Sequence, residues 1–87
     1  LVWRTRMFSL FTKLMMKPID LEQLITKQLN ASLVQVKSED NHHFFAIIVS
    51  KNFEGLSLLK RQQMIYAMLQ SFIADGSIHA FSMQTYT

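Results

Sequence analysis

Residues 44–49, Phe44-Phe45-Ala46-Ile47-Ile48-Val49, are apolar without a break, and Ile47, Ile48 and Val49 are β-branched. A short apolar run between polar turns reads as a strand with both faces largely covered, or as the central strand of a sheet. Just upstream, Ser38-Glu39-Asp40-Asn41 is a polar turn. Before it, Val34 and Val36 alternate with Gln35 and Lys37, the pattern of a strand with one wet face. The two strands, near 33–38 and 44–50, are close enough in sequence to pair as a hairpin.

Downstream, Lys51-Asn52-Phe53-Glu54-Gly55 is a connection, and Ser57 is a side-chain cap for the helix that follows. Leu58, Ile65, Met68, Leu69 and Phe72 share one helical face. Asp75-Gly76 ends that helix, because glycine accepts the positive φ that Cβ-bearing residues avoid. The spacing predicts a helix over 57–75 and a last strand over 77–86. In that strand Ile78, Ala80 and Ser82 point one way and His79, Phe81 and Met83 the other. Upstream of the hairpin, Pro18-Ile19-Asp20 signals a helix start. Asp20 is the expected cap, Gln23 its capping-box partner, and Ile19 with Leu24 a hydrophobic staple. Leu21, Leu24, Ile25 and Leu29 make one apolar stripe and Asn30 suits a left-handed stop, so this helix covers 20–30.

The order is α-β-β-α-β, an α+β sandwich. The second strand, second helix and third strand form a crossover unit, so the three-stranded sheet should be mixed, with both helices on one face.

At 87 residues the chain holds one small domain, and a hydrophobic share of 49% against 17% charged residues is that of a folding chain. It contains no Cys, which excludes disulfides, cysteine nucleophiles and a self-contained thiolate-ligated cluster. No stretch of 18 apolar residues free of charge occurs, so no membrane-spanning helix is expected. The net charge of +3 resides in residues 1–15, through Arg4, Arg6 and Lys13. Residues 16–87 balance six Lys and Arg against six Asp and Glu. The domain itself is therefore not basic, which counts against a nucleic-acid reading drawn from charge. Residues 1–15 place Trp3, Met7, Leu10, Phe11 and Leu14 at helical spacing among the basic residues. This basic amphipathic extension reads as a transit peptide or membrane-surface helix, or as an upstream extension or a helix packed on a neighbouring chain.

Four segments resemble the BolA family in order and spacing. They are Phe53-Glu54-Gly55, the run Ser57 to Tyr66, Ile78-His79-Ala80 with Thr85-Tyr86-Thr87, and His43-Phe44 ahead of the apolar strand. The likeness spans residues 19–87 and is closest to the short, loop-truncated bacterial branch. It implies a fold related to the type II KH domain, a monothiol glutaredoxin partner, and a [2Fe-2S] cluster shared with it. It also implies links to stress response and transcriptional regulation, in the cytoplasm. Ile78-His79-Ala80 carries the family's cluster-ligand histidine onto His79. The family's second ligand, His or Cys, comes from the loop between the first two strands, which leaves His42, or alternatively His43, to serve here.

The residues themselves constrain that chemistry. Neighbours on a strand face opposite ways, so at most one of His42 and His43 can converge with His79. Two nitrogens leave a four-ligand shell half empty, so no private zinc site is expected. A centre completed by another molecule's thiolates is chemically sound, since imidazole replaces thiolate on one iron of some [2Fe-2S] centres. The runner-up is a DNA-binding regulator. Lys51, Lys60 and Arg61 flank the start of the second helix, and Gly55-Leu56-Ser57-Leu58 keeps only the first Gly of a KH-type GXXG loop. A catalytic reading finds little support: Ser57 has no patterned His and Asp, and no phosphate or dinucleotide fingerprint is present.

Overall fold

The computed structural model describes residues 16–87. Expectations for residues 1–15, including the basic amphipathic face, lie outside the described residues. Helix α1 (Pro18–Leu29) leads into strands β1 (Leu33–Lys37) and β2 (His43–Val49). A single 3-10 turn (Lys51–Phe53), helix α2 (Leu58–Ala74) and strand β3 (Ala80–Tyr86) complete the domain. The sheet order is β1-β2-β3, with β2 antiparallel to β1 and parallel to β3. The expected mixed sheet with a central second strand is therefore present.

The start of α1 differs from expectation. Lys17 occupies the cap position and Pro18 the first turn, where a missing N–H costs nothing. Asp20 sits one turn further in, and its carboxylate accepts from the Lys17 backbone N–H at 2.9 Å. It thus supplies the acidic, reciprocal half of a capping box rather than the cap itself. Ile19, inside the first turn, is 52% exposed and does not clamp the helix as a staple. The far end is as expected: Asn30 takes the left-handed conformation at φ 52°.

Ser57 caps α2, its hydroxyl accepting from the Lys60 N–H at 3.2 Å. Gly76, at φ 83°, follows the Asp75 cap and turns the chain toward β3. Ile65 and Leu69 are fully buried on the inner face of α2, whereas Leu58 is 61% exposed and belongs to no core face. At the first helical position the chain has yet to settle onto the sheet, so helical spacing alone misplaced it.

One core joins the layers. Leu21, Ile25 and Leu29 of α1 and Ile65 and Leu69 of α2 pack with Val36, Phe44, Ala46, Ile48 and Phe81 of the sheet. Both helices thus cover one sheet face. The other face is open: Phe45 lies between Lys37 and Ser82 in register, and Leu33, Phe45 and Tyr86 are exposed on it. Centrality in the sheet, not cover on both faces, accounts for the apolar run in β2. β3 begins later than the sequence suggested. Ile78 is buried before the strand starts, His79 is exposed, and alternation sets in only at Ala80.

The free edge of β3 is covered from α2. Tyr66 Oη donates to the Phe81 carbonyl at 2.7 Å. Arg61 lies along the same seam, its Nη1 3.5 Å from the Thr85 carbonyl. Such cover blunts an edge strand that would otherwise pair with other chains.

Candidate histidine site at the head of the sheet

Parallel pairing brings the starts of two strands to the same end of a sheet. Here His43 of β2 registers with Ala80 of β3. The residues just before them, His42 and His79, are thereby brought side by side. The His42 carbonyl accepts from the N–H groups of both His79 (2.8 Å) and Ala80 (3.2 Å), which closes the head of the β2–β3 ladder. The imidazoles of His42 and His79 stack, with centroids 4.5 Å apart and planes 15° apart. The ring of His43 stands at 87° to that of His79, with centroids 6.0 Å apart. All three histidines are exposed. The structure thus gathers His42, His43 and His79 in one place.

Asp40 is the member of this site that the sequence reading passed over. One of its carboxylate oxygens accepts from the backbone N–H groups of His42 and His43, each at 2.9 Å. The other lies 2.7 Å from His43 Nδ1. These contacts hold its carboxyl well below the ordinary carboxylate range, first through the His43 N–H, then the His42 N–H, then the His43 ring. The Ser38 hydroxyl, 3.3 Å from Asp40, accepts from the Asn41 N–H at 2.9 Å, and Asn41 is left-handed at φ 60°. The Ser-Glu-Asp-Asn composition announced a turn, and the spacing of Asp40 three residues ahead of His43 was the available signal for its second role. Beside it opens a shallow cavity of about 560 Å³, whose walls include Lys37, Asp40, His43, Phe45 and Ser82.

Among the described residues, no group of three His, Asp or Glu side chains is arranged to hold a metal ion unaided. The donors on offer are the imidazoles of the gathered histidines, open to solvent. Such a half-shell suits a centre whose remaining ligands arrive on another molecule.

The basic residues near α2 are not gathered in the same way. Arg61 is committed to the fold: its Nε donates to the Leu56 carbonyl at 3.1 Å and its guanidinium lies 5.6 Å from the centre of the Phe53 ring. Lys51 and Lys60 are exposed. Gly55 is left-handed at φ 77° and, with Leu56 and Ser57, leads directly into the helix.

An α-β-β-α-β domain with a mixed sheet and histidines at the head of its parallel strand pair defines a small scaffold class, and comparison with known proteins gives it a family. Residues 16–87 match the family of BolA-like proteins. The chain belongs to the BolA family. It is 38% identical over 68 residues to the acid stress protein IbaG of Escherichia coli K12, covering 78% of this chain and 80% of that one. It is 42% identical over 67 residues to an uncharacterised protein of Haemophilus influenzae, covering 77% and 78%. Among solved structures, a BolA homologue from Coxiella burnetii superposes with a TM-score of 0.63 at 37% identity, covering 82% of this chain and 90% of that one. BolA1 from Arabidopsis thaliana superposes with a TM-score of 0.72 at 29% identity, covering 80% and 89%. Among the described residues no helix is long and apolar enough to cross a membrane.

Proposed function

We propose that this protein is an adaptor for iron–sulfur trafficking that docks a monothiol glutaredoxin and shares a [2Fe-2S] cluster with it. The observation that carries the reading is the meeting of His79 with the His42–His43 pair at the exposed head of the β2–β3 ladder. His79 serves as one nitrogen ligand and one of His42 and His43 as the second, while the glutaredoxin and glutathione contribute the thiolates. Nitrogen ligation of one iron alters the charge and potential of the cluster relative to an all-thiolate one. The chain contributes no thiolate of its own, which makes the partner obligatory for cluster binding. The adaptor acts in the cytoplasm without catalysing a reaction, and the name of the Escherichia coli relative suggests acid stress as its setting.

The engagement of Arg61 by backbone carbonyls and Phe53 favours this reading over the DNA-binding one, because it leaves Lys51 and Lys60 as the basic groups available at the start of α2. Two lysines anchor few phosphates, and binding through them is lost at modest salt. Anaerobic reconstitution with a monothiol glutaredoxin and glutathione tests the proposal. A mixed heterodimer with a spectrum distinct from that of the glutaredoxin homodimer supports it. Tight DNA binding at physiological salt, with no heterodimer, would replace it by the regulator.

A further inference from the structure

We infer that Asp40 is a positioning residue that sets the tautomer of His43, and that His43 rather than His42 is the second donor beside His79. The inference rests on the cluster-sharing reading for its ligand half, and on the described geometry alone for its tautomer half.

At neutral pH an aspartate is ionised and can only accept hydrogen bonds. The 2.7 Å contact between Asp40 and His43 Nδ1 therefore requires the proton on Nδ1. A neutral imidazole carries one N–H, so Nε2 of His43 holds a lone pair turned away from the carboxylate. This is the arrangement by which metal-binding histidines are commonly prepared: a carboxylate takes the far N–H, fixes the ring and raises the basicity of the free nitrogen. Asp40 is itself fixed, because its other oxygen accepts two backbone N–H groups of the same turn.

Ring orientation points the same way. A ring nitrogen's lone pair lies in the plane of its ring. The rings of His42 and His79 are stacked with planes only 15° apart, so their lone pairs run alongside one another and do not converge on one atom. The rings of His43 and His79 are 87° apart with centroids 6.0 Å apart, so their lone pairs are not confined to parallel planes as those of the stacked pair are. Among the described residues no hydrogen bond reaches a ring nitrogen of His42, whose role is to pack against His79 and hold that ring upright.

Asp40→Asn is the discriminating variant. Its side-chain oxygen still accepts the two backbone N–H groups, but an amide donor now faces His43 Nδ1 and favours the opposite tautomer. ¹⁵N spectra of the histidine rings in the full chain, without cluster, should show His43 mainly protonated on Nδ1. In Asp40→Asn they should show it mainly protonated on Nε2, with backbone amide shifts outside the 38–43 turn unchanged. A wild-type His43 mainly protonated on Nε2 overturns the tautomer assignment. After reconstitution with a monothiol glutaredoxin and glutathione, the reduced mixed cluster should show two nitrogen hyperfine couplings. His43→Ala and Asp40→Asn should each lose one, and His42→Ala should keep both. Loss of a coupling in His42→Ala but not in His43→Ala overturns the donor assignment. Absence of nitrogen coupling in the wild-type mixture defeats the cluster reading and the donor assignment together, while the tautomer spectra still decide the positioning role.

Discussion

The ring of His79 stacks on that of His42, with centroids 4.5 Å apart, and the His42 carbonyl accepts the His79 N–H at 2.8 Å. One residue thus fixes both the backbone and the ring of the other. The register of the parallel β2–β3 pair makes this contact, and the covered edge of β3 secures the register.

Tyr66 tests that security. Its hydroxyl donates to the Phe81 carbonyl at 2.7 Å, and its ring meets Phe81 edge-on with centroids 6.3 Å apart. Tyr66→Phe keeps the ring and removes only the donor, which should cost about 1 kcal/mol. For a domain this small the expected fall in Tm is roughly 4–8 °C. An unchanged Tm by calorimetry would show that water replaces the hydroxyl without loss.

Core and surface positions should separate sharply. Phe53 is fully buried, so Phe53→Ala should destabilise by about 3–5 kcal/mol, a large share of the stability of a small domain. Leu58 is 61% exposed, and Leu58→Ala should change stability by less than about 0.5 kcal/mol. Urea denaturation of both variants checks the pair. A large effect at Leu58 would restore it to the core face that helical spacing assigned.

Much of the fold was legible because local chemistry and global packing agree. Ser57, Asn30 and Gly76 each mark a helix end by the side chain or the φ that the end requires. Lys17 was not legible as a cap, since lysine has no acceptor to offer, and only Pro18 and the Asp20 carboxylate define that turn. The late start of β3 was hidden for another reason: Ile78 and His79 alternate as a strand does, but the His42 carbonyl gathers the N–H groups of His79 and Ala80 together. Sequence identified the three histidines. It could not supply the register that unites them, nor show that a turn aspartate reaches forward to one ring.

Acid should reveal the hold of the turn on Asp40. Its carboxyl is depressed by hydrogen bonds present only in the folded chain, so the folded state binds that proton less readily than the unfolded one. The stabilisation is therefore complete above the ordinary aspartate value of about 3.9 and is lost as pH falls through the lower folded value. A ¹³C titration of the Asp40 carboxyl should give a midpoint below about 3.9. The stability difference between wild type and Asp40→Ala should shrink as pH falls below about 4. A midpoint at or above the ordinary value would mean that the turn does not close in solution.

The most direct measurement is the absorption and circular dichroism spectrum of the cluster formed when a monothiol glutaredoxin, glutathione and this chain are reconstituted together without oxygen. The predicted result is a heterodimer whose [2Fe-2S] bands differ from those of the glutaredoxin alone, and whose difference is abolished, or whose cluster is destabilised, in His79→Ala. A mixed cluster with the same spectrum and stability in wild type and His79→Ala, or no heterodimer with any monothiol glutaredoxin of the same cell, would contradict the account.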